Sequence, residues 1–296
     1  MHARSIPFAP LAPVARVALG ALALSTAVLT AAPAHAEIAA DDAARLDAVL
    51  ADPRRDGDRA RDAFRHPKET LEFFGITPDM EVVDVTPDGG WYTRVLLPYV
   101  TPEGGYWGLH YSVEHAEGMS RNGPTEEDRE RQRTWPERWM ATAGEDGPEG
   151  GALKGGFLFG GAPDEIRGQA DAVLFFRALH HLSRSGALDS AAQGAFEVVA
   201  PGGIVGVVQH AAKETTPADY DVVGNRGYLR EDDVVAAFER AGFVLEARSD
   251  INANPLDPAD HEGGVWAMPP VGGGGEATAD LGESNRMTLR FRKPDA

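Results

Sequence analysis

Short runs of β-branched and aromatic residues alternate along this chain with segments whose apolar positions recur at three- and four-residue spacing. Val82, Val83 and Val85 form the first such run and predict a buried parallel strand. Thr86-Pro87-Asp88-Gly89-Gly90 then reads as a tight turn, and residues 91–99 as a helix that turns Val95 and Leu96 to the sheet. Further strands are predicted at 106–111, 157–160, 172–176, 204–209, 243–247 and 287–291. Helices are predicted at 189–199 and at 230–241, where Gly242 is the stop. Ahead of the first strand, Ala43, Leu46 and Leu50 mark a helix within 38–51, and Pro67 opens one that runs to Phe74 and ends at Gly75. This alternation predicts an α/β fold: a Rossmann-like, doubly wound, mostly parallel sheet with N-terminal helices.

Residues 112–156 interrupt the alternation with polar sequence, an insertion or lid. Glu126 with Arg129, Glu127 with Arg131 and Glu130 with Arg133 fall at helical spacing and predict one exposed helix over 125–140. Trp135 and Trp139, four apart, share a face of it, to pack in the core or to cover a site. Residues 144–156 read as a loop. The arginine-rich stretch 56–65 is either a solvated face paired to neighbouring acids or part of a helical lid.

Composition changes the picture at the start of the chain. Arg4 and Arg16 precede an apolar run from Val17 to Thr30, and Ala34-His35-Ala36 fits a cleavage site. Residues 1–36 are therefore expected to be a signal peptide cleaved after Ala36, with export to the periplasm and no stable membrane insertion. The domain expected to remain is 37–296. Cysteine is absent, which excludes disulfides and thiolate metal sites. Without Arg4 and Arg16 the chain carries 26 basic against 46 acidic residues, a balance that argues against nucleic acid and anionic membranes as partners.

The candidate chemistry lies at strand ends, where open α/β sheets bind ligands. Asp84, His110, Arg177, His180 and His210 all fall at or just past such ends. Gly89 and Gly90 let backbone approach a ligand closely, although a plain strand-to-helix turn would use the same residues. The dinucleotide pattern G-x-G-x-x-G is absent. A zinc site would need three of His110, His180, His181 and His210, or Asp84 in place of one; their wide separation carries no ligand-spacing signature, and no metal is assigned.

An acid shortly before a Gly-Gly turn resembles motif I of the class I S-adenosylmethionine-dependent methyltransferases. Beyond it, Gly89-Gly90-Trp91-Tyr92-Thr93, Phe176-Arg177 with His180, Pro201-Gly202-Gly203, Gln209-His210, Gly227-Tyr228 and Gly282-Glu283-Ser284-Asn285-Arg286 resemble the predicted exported methyltransferases of proteobacteria, a branch of that superfamily. The resemblance covers most of residues 59–294. It departs from the family at Asp88, where the turn usually has glycine, and at Ala178 and His181, where asparagines are usual.

The resemblance implies S-adenosylmethionine as cofactor, held by Asp84, Pro87, Gly89, Gly90, Trp91, Tyr92, Thr93, His110 and Arg177. Arg177 would face the cofactor's carboxylate or an anionic substrate. His180 and His210 are the candidate catalytic bases, since imidazole titrates near neutral pH. The acceptor would be a small molecule. The alternative is an exported binding protein that keeps the fold and performs no turnover.

Overall fold

In chain order the strands are β1 Glu81–Val85, β2 Gly105–His110, β3 Leu153–Leu158, β4 Ala170–Phe176, β5 Val199–His210, β6 Val244–Ser249 and β7 Arg286–Arg292. They pair into one sheet of order β3-β2-β1-β4-β5-β7-β6, parallel throughout except for β7, which is antiparallel to both neighbours. The computed structural model describes residues 38–87, 89–100, 102–119, 123–147 and 151–295; the expected signal peptide and Asp88 lie outside the described residues. The helices are α1 Ala40–Leu50, α2 Asp62–Arg65, α3 Pro67–Phe74, α4 Thr93–Tyr99, α5 Val113–Met119, α6 Glu126–Arg133, α7 Trp135–Ala143, α8 Leu179–Arg184, α9 Leu188–Val198 and α10 Glu231–Ala241. The expected doubly wound, mostly parallel α/β sheet is thus what the chain builds. Among the described residues no helix is long and apolar enough to cross a membrane.

Two apolar layers sandwich the sheet, and strand parity decides which residue joins which. Val83, Val85, Val173, Phe175, Val205 and Val207 face one way, toward Ala191, Ala192 and Ala195 of α9 and Phe238 of α10. Val82, Leu174 and Ile204 face the other, toward Leu71 and Phe74 of α3, Val95 and Leu96 of α4, and Trp135 and Trp139. Asp84 shares parity with Val82, so its side chain lies under α4 instead of opening at the strand's end.

Three departures from expectation have local causes. Residues 153–156, expected as loop, belong to β3, where Gly155 and Gly156 pair with Trp107 and Gly108. A Cβ at Gly155 would press on the Trp107 ring and one at Gly156 on Trp139, so these glycines serve aromatic packing on a strand they give no propensity to form. β5 starts at Val199, before Pro201-Gly202-Gly203, with the irregularity absorbed between Ala170 and Ala172 of β4. The single helix expected over 125–140 is two, α6 and α7, because Pro136 at the start of α7 has no N–H to continue the first. Arg129 and Arg133 make the expected pairs with Glu126 and Glu130, whereas Arg131 turns to Asp128 at 2.8 Å. Trp135 and Trp139 are both buried and stack at 5.4 Å, and they pack in the core while also lining a cavity beside the turn after β1.

Between β6 and β7 the chain crosses the carboxyl side of the sheet without forming a strand. Asp257, fully buried, anchors this crossing: its carboxylate accepts from Tyr228 Oη at 2.9 Å and from the backbone N–H groups of Ala259 (2.9 Å) and Asn285 (2.6 Å). Gly264 lies on the same crossing at φ 64°, where an added Cβ would collide with the Arg226 carbonyl. Gly264→Ala is expected to lower stability by about 2 kcal/mol, since it combines a left-handed backbone with a backbone clash. A urea titration with an unchanged slope and a lower midpoint is the expected readout.

Candidate functional site

The sheet order reverses at β1, whose neighbours β2 and β4 lead to opposite ends of the sheet, and this is where open α/β sheets form a crevice. Thr86 follows β1 and Arg177 follows β4, and both adopt left-handed backbone, with φ of 55° and 60°. For residues with a Cβ this costs about 1–2 kcal/mol each, and such strain collects at functional sites. Backbone bonds hold both in place: Thr86 N–H donates to the Leu109 carbonyl and Arg177 N–H to that of Val208, each at 2.7 Å. A cavity of about 440 Å3 opens over these strand ends. Thr86, His110, Phe176, Arg177 and His210 line its strand side, His180 and His181 of α8 adjoin them, and Val265 to Val271 form an apolar roof that includes Trp266.

One wall is imidazole. The rings of His180 and His210 lie 5.4 Å apart, and His181 lies 3.9 Å from His180. Gln209 orients His180. Its Oε1 accepts from the Leu179 N–H at 3.1 Å, so its Nε2 donates to the Gly227 carbonyl at 3.2 Å and faces His180 Nδ1 at 3.5 Å. That arrangement makes Nδ1 the acceptor and leaves the proton of neutral His180 on Nε2. His210 Nδ1 lies 2.6 Å from Ser284 Oγ. Burial, reinforced by His181 and Arg184 next to it, pushes His180 well below the ordinary imidazole range; burial and the neighbouring His180 do the same to His210. Burial and Arg184 lower His181 to about 4. All three are neutral at pH 7, and as bases they are weaker than a free imidazole.

The other wall is guanidinium. Among the described residues, Arg61, Arg65, Arg177 and Arg286 line the cavity with a single carboxylate, Glu283, among them. Glu283 accepts from Arg61 Nε at 2.6 Å and Arg65 Nε at 3.3 Å, and also pairs with Arg286. Burial would raise its pKa, but Arg286, Arg65 and Arg61 outweigh it and hold it at about 2. Arg177 makes no side-chain hydrogen bond or ion pair among the described residues, and burial, with Arg65 and Arg286 repelling it, lowers it to about 9. Burial brings Arg65 to about 10. Both keep their charge at neutral pH.

A second cavity, about 660 Å3, lies on the far side of the turn, lined by Pro87, Gly89, Gly90, Thr93, Trp135, Trp139 and Asp146 among others. Gly89 and Gly90 are left-handed, at φ 77° and 68°. An added Cβ at Gly89 would meet nothing within 4 Å, whereas one at Gly90 would press on Arg94 and Asp146. The two cavities flank Thr86 and Pro87, with the His110 and Trp135 rings in contact at 4.7 Å between them.

The predicted site residues therefore divide. His110, Arg177, His180 and His210 meet at the first cavity, and Pro87, Gly89, Gly90 and Thr93 at the second. Asp84, Trp91 and Tyr92 line neither. Asp84 is buried and accepts from Tyr106 Oη at 2.9 Å, and the Tyr106 oxygen in turn accepts from the Thr93 hydroxyl at 3.1 Å. Trp91 is buried between the guanidiniums of Arg55 and Arg65, at 5.0 and 4.6 Å from its ring. Tyr92 stacks on Phe176 at 3.4 Å, one layer behind the cavity wall, and burial lifts its hydroxyl to about 12.

The sequence reading missed Arg61, Arg65, Glu283, Ser284 and Arg286 as site residues. Arg59 does form a solvated pair expected of that stretch, with Asp56 at 2.6 Å. Arg61 and Arg65 instead reach Glu283, 222 and 218 residues away. The available signal was the joint presence of that arginine stretch and the Glu283-Ser284-Asn285-Arg286 motif. Among the described residues no group of three histidine or acidic side chains is placed to hold a metal ion.

No protein-family model matches the chain, and neither does any curated protein sequence. Solved structures similar to it include the [4+2]-cyclase SpnF, at 16% identity and a TM-score of 0.46, covering 79% of this chain and 82% of that one. An S-adenosylmethionine-dependent methyltransferase from Aquifex aeolicus is 13% identical, with a TM-score of 0.44, covering 85% and 98%. Geranyl diphosphate C-methyltransferase from Streptomyces coelicolor, solved with Mg2+, geranyl diphosphate and S-adenosyl-L-homocysteine, is 11% identical, with a TM-score of 0.46, covering 83% and 87%. At these scores and identities the likeness is one of fold alone and assigns this chain no chemistry.

Proposed function

We propose that the chain is an S-adenosylmethionine-dependent methyltransferase acting on a small-molecule acceptor, exported as its first 36 residues suggest. The observation that carries this reading is the pair of cavities flanking the turn after β1, at the reversal of strand order. The open space at Gly89 and the apolar Trp135–Trp139 wall fit a nucleoside-sized group beside the turn. Pro87, Gly89, Gly90 and Thr93 would hold the cofactor there, with His110 at the boundary between the cavities. Bound, it supplies an electrophilic methyl group. The apolar roof around Trp266 excludes water, and the neutral imidazoles of His180 and His210 orient the acceptor by hydrogen bonds. Their depressed basicity suits an acceptor that has little need of a base.

A second reading, a binding protein without turnover, is favoured by one observation. Asp84 is engaged beneath α4, and the residue closing β2 is His110 instead of a carboxylate, so among the described residues no free acid faces a ribose or an ammonium group at these strand ends. Calorimetric titration with S-adenosylmethionine and S-adenosylhomocysteine separates the two. The methyltransferase reading expects binding of both, weakened on the order of 10-fold or more in Gly90→Asp, where the new side chain crowds Arg94 and Asp146 and meets a backbone that disfavours it. Absence of binding at millimolar ligand leaves the second reading.

A further inference from the structure

We infer that Arg177, Arg65 and Arg286 form an anion subsite in the first cavity, and that it takes the carboxylate or phosphate of an organic acceptor with an apolar body. The acceptor's place in the reaction rests on the methyltransferase reading; the anion subsite does not.

The charge count comes first. Among the described residues the cavity carries four guanidiniums against one carboxylate, in a protein whose formal net charge is −18. Cations gathered in a cavity of an acidic protein are not a sample of its surface. Three of these arginines are accounted for in part by Glu283, which already accepts from Arg61, Arg65 and Arg286. Donors remain beyond what that carboxylate can take. Arg65 Nη1 and Arg286 Nε are buried without a hydrogen-bond partner, and each of these residues is only 3% exposed. Arg177 adds a guanidinium with no side-chain partner among the described residues, set at the cavity by the left-handed backbone after β4.

Buried donors without partners are costly, and a charged fork left open is the arrangement that receives a carboxylate or phosphate through paired, charge-assisted bonds. The opposite side of the cavity is not suited to a second charge. Phe176, Trp266, Met268, Pro269 and Pro270 are apolar, and the imidazoles near them are neutral. A free inorganic ion would leave that side unmatched, whereas an anionic group on an apolar or aromatic body meets both.

The test is calorimetric titration of the protein with sodium benzoate, with benzamide as the neutral isostere and inorganic phosphate as the bare anion. Benzoate is expected to bind more tightly than phosphate, and benzamide to give no saturable heat. Arg177→Gln is expected to weaken benzoate on the order of 10- to 100-fold, and Arg177→Lys, which keeps the charge but not the fork, by less. Equal binding of benzoate and benzamide, or benzoate binding unchanged in Arg177→Gln with the variant folded by circular dichroism, overturns the subsite. A second titration repeats the benzoate measurement with S-adenosylhomocysteine at saturation. Simultaneous binding assigns the anion to the acceptor. Competition between them assigns the arginines to the cofactor's own carboxylate and overturns the acceptor assignment. Benzoate binding without any binding of S-adenosylhomocysteine leaves the anion subsite standing and removes the methyltransferase reading.

Discussion

Glu283→Ala is expected to destabilise the protein by about 3–5 kcal/mol at pH 7, the range for removing one partner of a buried ionic cluster. The residue is 4% exposed and accepts from three arginines, two of which are themselves only 3% exposed. Removing the carboxylate leaves Arg65 and Arg286 buried beside each other with no counter-charge, and Arg177 already repels both. The effect has a pH signature. Glu283 titrates near 2 when folded against an ordinary value of 4.5, so its contribution, on the order of 3 kcal/mol, is fully present above pH 4.5 and is lost as pH falls toward 2. Urea midpoints for wild type and Glu283→Ala should therefore differ widely at pH 7 and converge below pH 3. A difference under 1 kcal/mol at pH 7 would show that the arginines are solvated instead of being held by this carboxylate.

Acid is expected to act earlier, through the histidine wall. A histidine whose folded pKa is depressed stabilises the neutral fold above its unfolded pKa, near 6.5, and loses that contribution as pH falls toward the folded value. For His181, held at about 4, the loss between pH 6.5 and 4 is on the order of 3 kcal/mol before solvent screening reduces it. His180 and His210, depressed in the same direction and more deeply buried, add to it. Stability followed by chemical denaturation should decline steadily from pH 7 to 4, ahead of the carboxylate titration. His181→Gln should flatten that decline. A profile flat over this interval in the wild type would mean that the imidazoles are hydrated and not buried.

Legibility differed between fold and site for physical reasons. β1 and β4 are β-branched or aromatic runs whose burial depends on local composition, β7 alternates Met287, Leu289 and Phe291 with polar residues, and α3 is bounded by Pro67 and Gly75, so these elements were readable. β3 was only half readable, because Gly155 and Gly156 lie in a strand on account of two tryptophans elsewhere in the chain. In the site, His110, Arg177, His180 and His210 were readable from their positions at strand ends. Asp84 shows the limit: one position short of the strand's end, parity turns its side chain under α4 to Tyr106. Arg61 and Arg65 were missed because their partner is more than two hundred residues away, and local acids offered a simpler explanation.

The span of those pairings bears on how the chain acquires its site. The sheet from β1 to β5 can assemble through successive parallel crossovers, each adding a strand beside an existing one. The arginine wall cannot form in this stepwise way. It joins residues from before β1 to residues at the start of β7, and until β7 docks, Arg61, Arg65 and Glu283 have no reason to be neighbours. Contacts of such sequence separation carry their loop-closure cost late. A chain synthesised only as far as β5 can therefore hold much of the sheet while lacking the cationic wall, so anion capture would report completion of folding.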